Sequence, residues 1–101
     1  MNLSARNRFK LHQFFSGKPV KRAYLFGSYA RNEANSNSDL DIMVELDYSE
    51  PIGMNFFSFQ NELESLLNMK VDLVTSDCIS KYVKPFIEND KILIYERDPY
   101  R

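Results

Sequence analysis

Apolar residues alternate with polar ones in some stretches of this chain and recur at helical spacing in others. The clearest alternation covers residues 40–46, where Leu40, Ile42, Val44 and Leu46 interleave with Asp39, Asp41, Met43 and Glu45. Successive strand side chains point to opposite faces, so the spacing predicts a strand with one apolar face and one that opens on two acids. The clearest helical period covers residues 54–68. There Phe56, Phe59, Leu63, Leu66 and Leu67 form a stripe, and Gln60, Asn61, Glu62 and Glu64 lie off it. Such an aromatic and aliphatic stripe is the signature of a helix packed on a core.

The remaining elements follow from weaker forms of the same patterns. Residues 4–16 are predicted helical, with Leu11, Phe14 and Phe15 at helical spacing below Leu3 and Asn7, and with Gly17 and Pro19 as the stop. Residues 20–26 form a short strand carrying Lys21 and Arg22 at its outer end. Ser28 is expected to N-cap a short helix whose first turn is Tyr29, Ala30 and Arg31. Residues 32–38 hold too little apolar surface to be anything but a loop, and residues 47–53 form a connection with turn signals at Pro51 and Gly53. Residues 70–75 make a third strand, with Val71, Leu73 and Thr75 on one face and Asp72 and Val74 on the other. Residues 76–89 are expected to be partly helical and interrupted at Pro85; residues 91–95 form a last strand before a polar tail. Strands alternating with helices give an α/β or α+β class: a mixed sheet of about four strands covered by helices.

With 101 residues, the expected organisation is one domain spanning residues 1–101. A hydrophobic fraction of 44% and a charged fraction of 27% are ordinary for a folded soluble protein. The net charge of −1 supplies no basic excess to neutralise nucleic-acid phosphates. No long apolar run and no signal-peptide stretch are present, so a cytoplasmic location with no membrane contact is expected. The single Cys78 excludes an intrachain disulfide and is expected to be buried or uncharged; His12 is expected on the surface.

Candidate chemistry concentrates between Tyr24 and Glu45. Gly27 and Ser28 stand where a strand gives way to a helical turn, a place suited to holding phosphate on backbone N–H groups. Asp39 and Asp41, two residues apart on a strand, point the same way and repel each other unless a cation lies between them. A phosphate cradle beside a divalent-metal site points to nucleotide chemistry. Asp72 has two readings, a surface acid on an edge strand or a third member of the acidic pair.

The ordered set Gly27-Ser28-Tyr29-Ala30-Arg31 followed by Ser38-Asp39-Leu40-Asp41-Ile42 resembles the signature of the nucleotidyltransferase superfamily that includes DNA polymerase beta and kanamycin nucleotidyltransferase. Its short members, the minimal nucleotidyltransferases, resemble this chain over most of its length. The resemblance implies that Gly27 and Ser28 bind the triphosphate of ATP, with Arg31 and Ser38 beside it. It also implies that Asp39, Asp41 and Asp72 hold two magnesium ions, Asp72 helping to activate the attacking hydroxyl. Hard oxygen ligands of this kind suit magnesium or manganese rather than zinc. Two departures stand out: Asn32 replaces a glycine common in the family, and after Tyr95 there is no room for the additional helical domain of larger members. Asn accommodates a left-handed backbone better than most residues, so the turn is expected to survive.

The implied partner is a small helical HEPN-domain protein, with this chain acting as antitoxin by moving AMP from ATP onto a tyrosine of that toxin. Two other functions fit the sequence. One is a module that neutralises a partner by docking alone through Tyr82, Phe86, Tyr95 and Tyr100, residues whose bland reading is packing of the last helix and strand. The other is nucleotidyl transfer to a small molecule.

Overall fold

The strand with the strictest alternation, residues 40–46, lies inside the sheet of the structure, a computed structural model that describes residues 3–50, 52 and 55–97. Helix α1 (Ala5–Ser16) leads into strand β1 (Val20–Phe26), the one-turn helix α2 (Gly27–Ala30) and strand β2 (Leu40–Leu46). Helix α3 (Asn55–Leu67), strand β3 (Val71–Thr75), a 3-10 turn (Ser76–Cys78), helix α4 (Lys84–Asp90) and strand β4 (Ile92–Glu96) complete it. The sheet order is β3-β2-β1-β4. Strand β1 is antiparallel to both β2 and β4, and β2 is parallel to β3, so the sheet is mixed as expected. Pro51, Gly53 and Met54, and the tail residue Tyr100, lie outside the described residues.

Burial follows the apolar pattern. Leu40, Ile42, Val44 and Leu46 of β2, Ala23 and Leu25 of β1, and Val71 and Leu73 of β3 line one buried face. Leu11 and Phe15 of α1 and Phe59, Leu63 and Leu67 of α3 close over it in a single cluster. Leu66, at the edge of the α3 stripe, is exposed instead of buried. Ser4 caps α1, its Oγ accepting the Asn7 N–H at 3.1 Å, and the Gly17 N–H closes the other end on Phe14 O at 3.3 Å. Among the described residues no helix is long and apolar enough to cross a membrane.

Four local expectations change. Ser28 is not an N-cap: Phe26 occupies that position, no side chain caps the turn, and Ser28 is already inside α2. Pro85 does not interrupt a helix but lies in the first turn of α4, where its missing N–H costs nothing; the break falls before it. Cys78 is exposed in the 3-10 turn rather than buried. The polar tail starts later than expected, because Arg97 is pinned through its N–H to Lys21 O at 2.8 Å and through its guanidinium to Asp47 at 2.6 Å and Glu50 at 3.0 Å. His12 is exposed as expected, its ring edge-on to Tyr95.

The second face of the sheet carries Asp41, Met43 and Glu45 beside Asp72 and Val74. It is covered only in part. Met43 is buried where Ile87 of α4 approaches, while the end bearing the acids is left open. This half-covered face, backed by a rigid core, is what positions the site.

Candidate active site

Strand register brings the acids together. In the parallel β2–β3 ladder Asp41 is the direct partner of Asp72, and in the antiparallel β1–β2 ladder it is the partner of Phe26. Paired residues in adjacent strands share a face and stand about 5 Å apart, so Asp41 and Asp72 are neighbours by construction. Asp39 stands one residue before β2, on the same side as Asp41. Asp72 is thus an exposed acid on the edge strand and at the same time the register partner of Asp41.

The electrostatics follow. Partial burial first, then the Asp72 carboxylate and the Asp39 carboxylate, push the Asp41 carboxyl up to about 6, while the Arg31 guanidinium pulls it back. Asp41 thus stands in the negative field of both other acids. Among the described residues no three acid, His or Cys side chains are gathered closely enough to cage a metal ion as they stand. The donor set nevertheless fits a hard divalent cation: all three are carboxylates, two of them are register partners, and a cation would relieve the repulsion that raises Asp41.

The Gly27-Ser28 corner abuts the same group. Gly27 has φ +72°, and a Cβ on it would run into the Asp41 carboxylate. Only glycine allows both the left-handed backbone and this close approach. The turn that follows is closed by a Schellman motif. The Glu33 N–H reaches Ser28 O at 2.8 Å, the Asn32 N–H reaches Tyr29 O at 3.3 Å, and Asn32 has φ 60°. Asn32 therefore takes the left-handed position that a glycine would fill. The loop onward to Asp39 is folded on itself: Ser38 Oγ accepts the Asn35 N–H at 2.9 Å and Asn35 Oδ1 accepts the Asn37 N–H at 2.8 Å. Ser38 thus has a loop-closing role in the structure.

Arg31 is held rather than free. Its Nε donates to Glu33 Oε2 at 3.1 Å and its Nη1 to Asp90 Oδ2 at 2.8 Å. Neither partner follows from the local pattern of the chain. A carboxylate at the last residue of a helix, where the macrodipole disfavours it, is the signal that could have drawn attention to Asp90. Beside Asp39 and Ser38 a cleft of about 600 Å³ opens, walled by Leu3, Tyr29, Leu67 and Lys70, among others. Its volume lies in the range of small-molecule sites. Of the aromatic residues considered for docking, Tyr82 and Phe86 are 76% and 72% exposed, whereas Tyr95 is 3% exposed and belongs to the core.

The chain matches known proteins over most of its length. Residues 10–100 match the family described as "Polymerase beta, Nucleotidyltransferase". A Methanocaldococcus jannaschii protein, provisionally named a protein adenylyltransferase, is 48% identical over 77 residues that cover 74% of this chain and 76% of that protein. The protein adenylyltransferase MntA of Thermococcus cleftensis is 33% identical over 76 residues, covering 74% and 75% of the two chains. Among solved structures, a toxin–antitoxin crystal structure with AMP-PNP aligns with TM-score 0.76 at 23% identity, covering 91% of this chain and 75% of that one. A tri-AMPylated Shewanella oneidensis HEPN toxin in complex with MNT antitoxin aligns with TM-score 0.69 at 21% identity, covering 91% and 71%. At those identities the structural matches carry the fold.

Proposed function

The chain belongs to the polymerase beta nucleotidyltransferase family, and we propose that it transfers AMP from ATP to a tyrosine hydroxyl of a HEPN-domain toxin, acting as that toxin's antitoxin. The observation that carries this reading is the pairing of Asp41 with Asp72 directly behind the Gly27 corner. It places acidic groups beside a backbone suited to phosphate. The names of the relatives point the same way, since adenylyltransferase and toxin–antitoxin complex recur among them.

Gly27 and Ser28 would receive the β- and γ-phosphates on their backbone N–H groups, with Arg31 adding positive charge at the edge. Asp39, Asp41 and Asp72 would hold two magnesium ions, which when bound neutralise the triphosphate and acidify the acceptor hydroxyl. The acceptor oxygen attacks the α-phosphorus in line. The bond from that phosphorus to the bridging oxygen breaks, pyrophosphate leaves, and the hydroxyl proton passes to the Asp72 carboxylate. No covalent enzyme intermediate is needed, and the protein contributes position and charge. The open end of the sheet leaves the acids accessible to a hydroxyl carried on another protein.

The test is incubation of the purified chain with each nucleoside triphosphate, magnesium and the product of the neighbouring gene, followed by intact mass. Addition of one or more AMP units to the partner, abolished by Asp41→Asn, is the expected result. No mass gain with any nucleotide would overturn it. A docking-only role has one observation in its favour, the exposed Tyr82, Val83 and Phe86. Neutralisation of the toxin that survives Asp41→Asn would establish that role instead.

A further inference from the structure

Arg31 has two acidic partners of unequal strength. Glu33 is 64% exposed at its side chain, and an ion pair so open to solvent contributes little. Asp90 is 15% exposed and meets Nη1 at 2.8 Å, a shorter charge-assisted bond whose carboxylate is far better covered than that of Glu33. The other Asp90 oxygen accepts the Asn89 Nδ2 at 3.3 Å, so both carboxylate oxygens are engaged and the side chain is fixed. Asp90 also stands at the C-terminal end of α4, where a negative charge is disfavoured by the helix dipole. Its location therefore makes sense through Arg31, not through its own helix.

Arg31 in turn ends the Gly27–Ala30 turn, its N–H bonded to Gly27 O at 3.1 Å, and its positive field reaches Asp41. Helix α4 also touches this turn. Phe26, Gly27 and Arg31 face Val83, Phe86, Ile87 and Asp90 across a notch of about 190 Å³. The Gly27 corner thus has the Asp41 carboxylate against it and, at the end of its turn, the Arg31–Asp90 bond. Two of the five guanidinium N–H groups are taken by Glu33 and Asp90, which leaves three for a ligand.

We infer that Asp90, more than 50 residues downstream of the nucleotide motif, is a positioning residue for nucleotide binding, fixing the Arg31 guanidinium and through it the Gly27–Ala30 turn. This rests on the reading of the site as a triphosphate site. It adds a residue from α4 that does not itself touch the nucleotide.

Equilibrium binding of magnesium-ATP to the whole purified chain tests it without any acceptor. Asp90→Ala is expected to weaken binding roughly five- to tenfold, the effect of losing one charge-assisted bond's worth of ordering, with little change in the nucleotide-free melting midpoint. Asp90→Glu is expected to recover most of the affinity. In an Arg31→Ala background Asp90→Ala should add nothing, because the two act as one unit. Unchanged or tighter binding in Asp90→Ala, or an equal loss in the Arg31→Ala background, would overturn the inference while leaving the proposed function intact. Failure of the unaltered chain to bind magnesium-ATP would instead sink the triphosphate site, and this inference with it.

Discussion

Gly27 turns with φ +72° against the Asp41 side chain, so the glycine corner and the acidic strand share one van der Waals boundary. A methyl group at position 27 has nowhere to go, since its nearest neighbour would be a charged group needed where it is. Gly27→Ala is therefore expected to cost about 1–2 kcal/mol from the left-handed backbone alone, with the collision added to that. It should displace Asp41 and abolish ATP binding even where the fold survives. Thermal denaturation and magnesium-ATP titration of the variant read the two effects separately, and a variant that binds ATP normally would contradict the shared boundary.

Asp41 gives a pH dependence of definite sign. Its carboxyl is raised from 3.8 to about 6 by burial and by Asp72 and Asp39, so between those values the folded chain binds more protons than the unfolded one. Stability of the metal-free protein should accordingly fall as pH rises through that window. The group is half-buried and solvent screens part of the effect, so the loss is on the order of 1–2 kcal/mol. Asp41→Asn should flatten the dependence, raise the metal-free melting midpoint at pH 7 and remove most of the stabilisation by magnesium. Asp39→Asn should act in the same direction with a smaller gain, since Asp39 is exposed. A lower midpoint for Asp41→Asn would instead identify the carboxylate as a structural acceptor.

Asp47 works in the opposite sense. Bonds from the Ser49 hydroxyl and N–H and from Arg97 hold its carboxyl down to about 2. Its contribution is complete above the ordinary carboxylate range and is lost as pH falls toward about 2. Arg97→Ala removes the bonds to Asp47, Glu50 and Lys18 O together, and leaves the part-buried Asp47 Oδ2 without its guanidinium donor. A destabilisation of about 1–3 kcal/mol is expected, larger at pH 7 than at pH 3. Urea denaturation at the two pH values measures the difference, and an equal loss at both would argue against the Asp47 bond as its source.

The strand of residues 40–46 and the acidic pair Asp39 and Asp41 are legible because both depend on period-two alternation, which a rigid sheet preserves. Asp39 and Asp41 could be placed on one face from spacing alone. Asp72 could not, because its meeting with Asp41 depends on which strands pair and in which register, a long-range fact that local pattern does not contain. The same holds for Asp90, which reaches Arg31 across 59 residues. Serine propensity favours Ser28 as a cap, but the left-handed Gly27 before it starts the turn one residue earlier. Proline suits both a helix break and a first turn, and Pro85 takes the second place. Arg97 fell in a polar tail by composition, yet its backbone and guanidinium are both anchored.

Asn32 stands where the resemblance expects a glycine, and it takes the left-handed backbone that a glycine would take. Its φ of 60° and the paired bonds Glu33 N–H to Ser28 O and Asn32 N–H to Tyr29 O form a complete helix stop. Any residue able to adopt a left-handed backbone preserves both bonds. Asn32→Gly is thus expected to change stability by less than about 0.5 kcal/mol and to leave ATP affinity unaltered. Asn32→Val, with a branched Cβ in the same conformation, should lose about 1–2 kcal/mol and weaken ATP binding, because the loop leading to Asp39 begins at this turn. If Asn32→Gly instead bound ATP markedly more tightly, the asparagine side chain would be interfering with the nucleotide directly, and the backbone account of this position would be wrong.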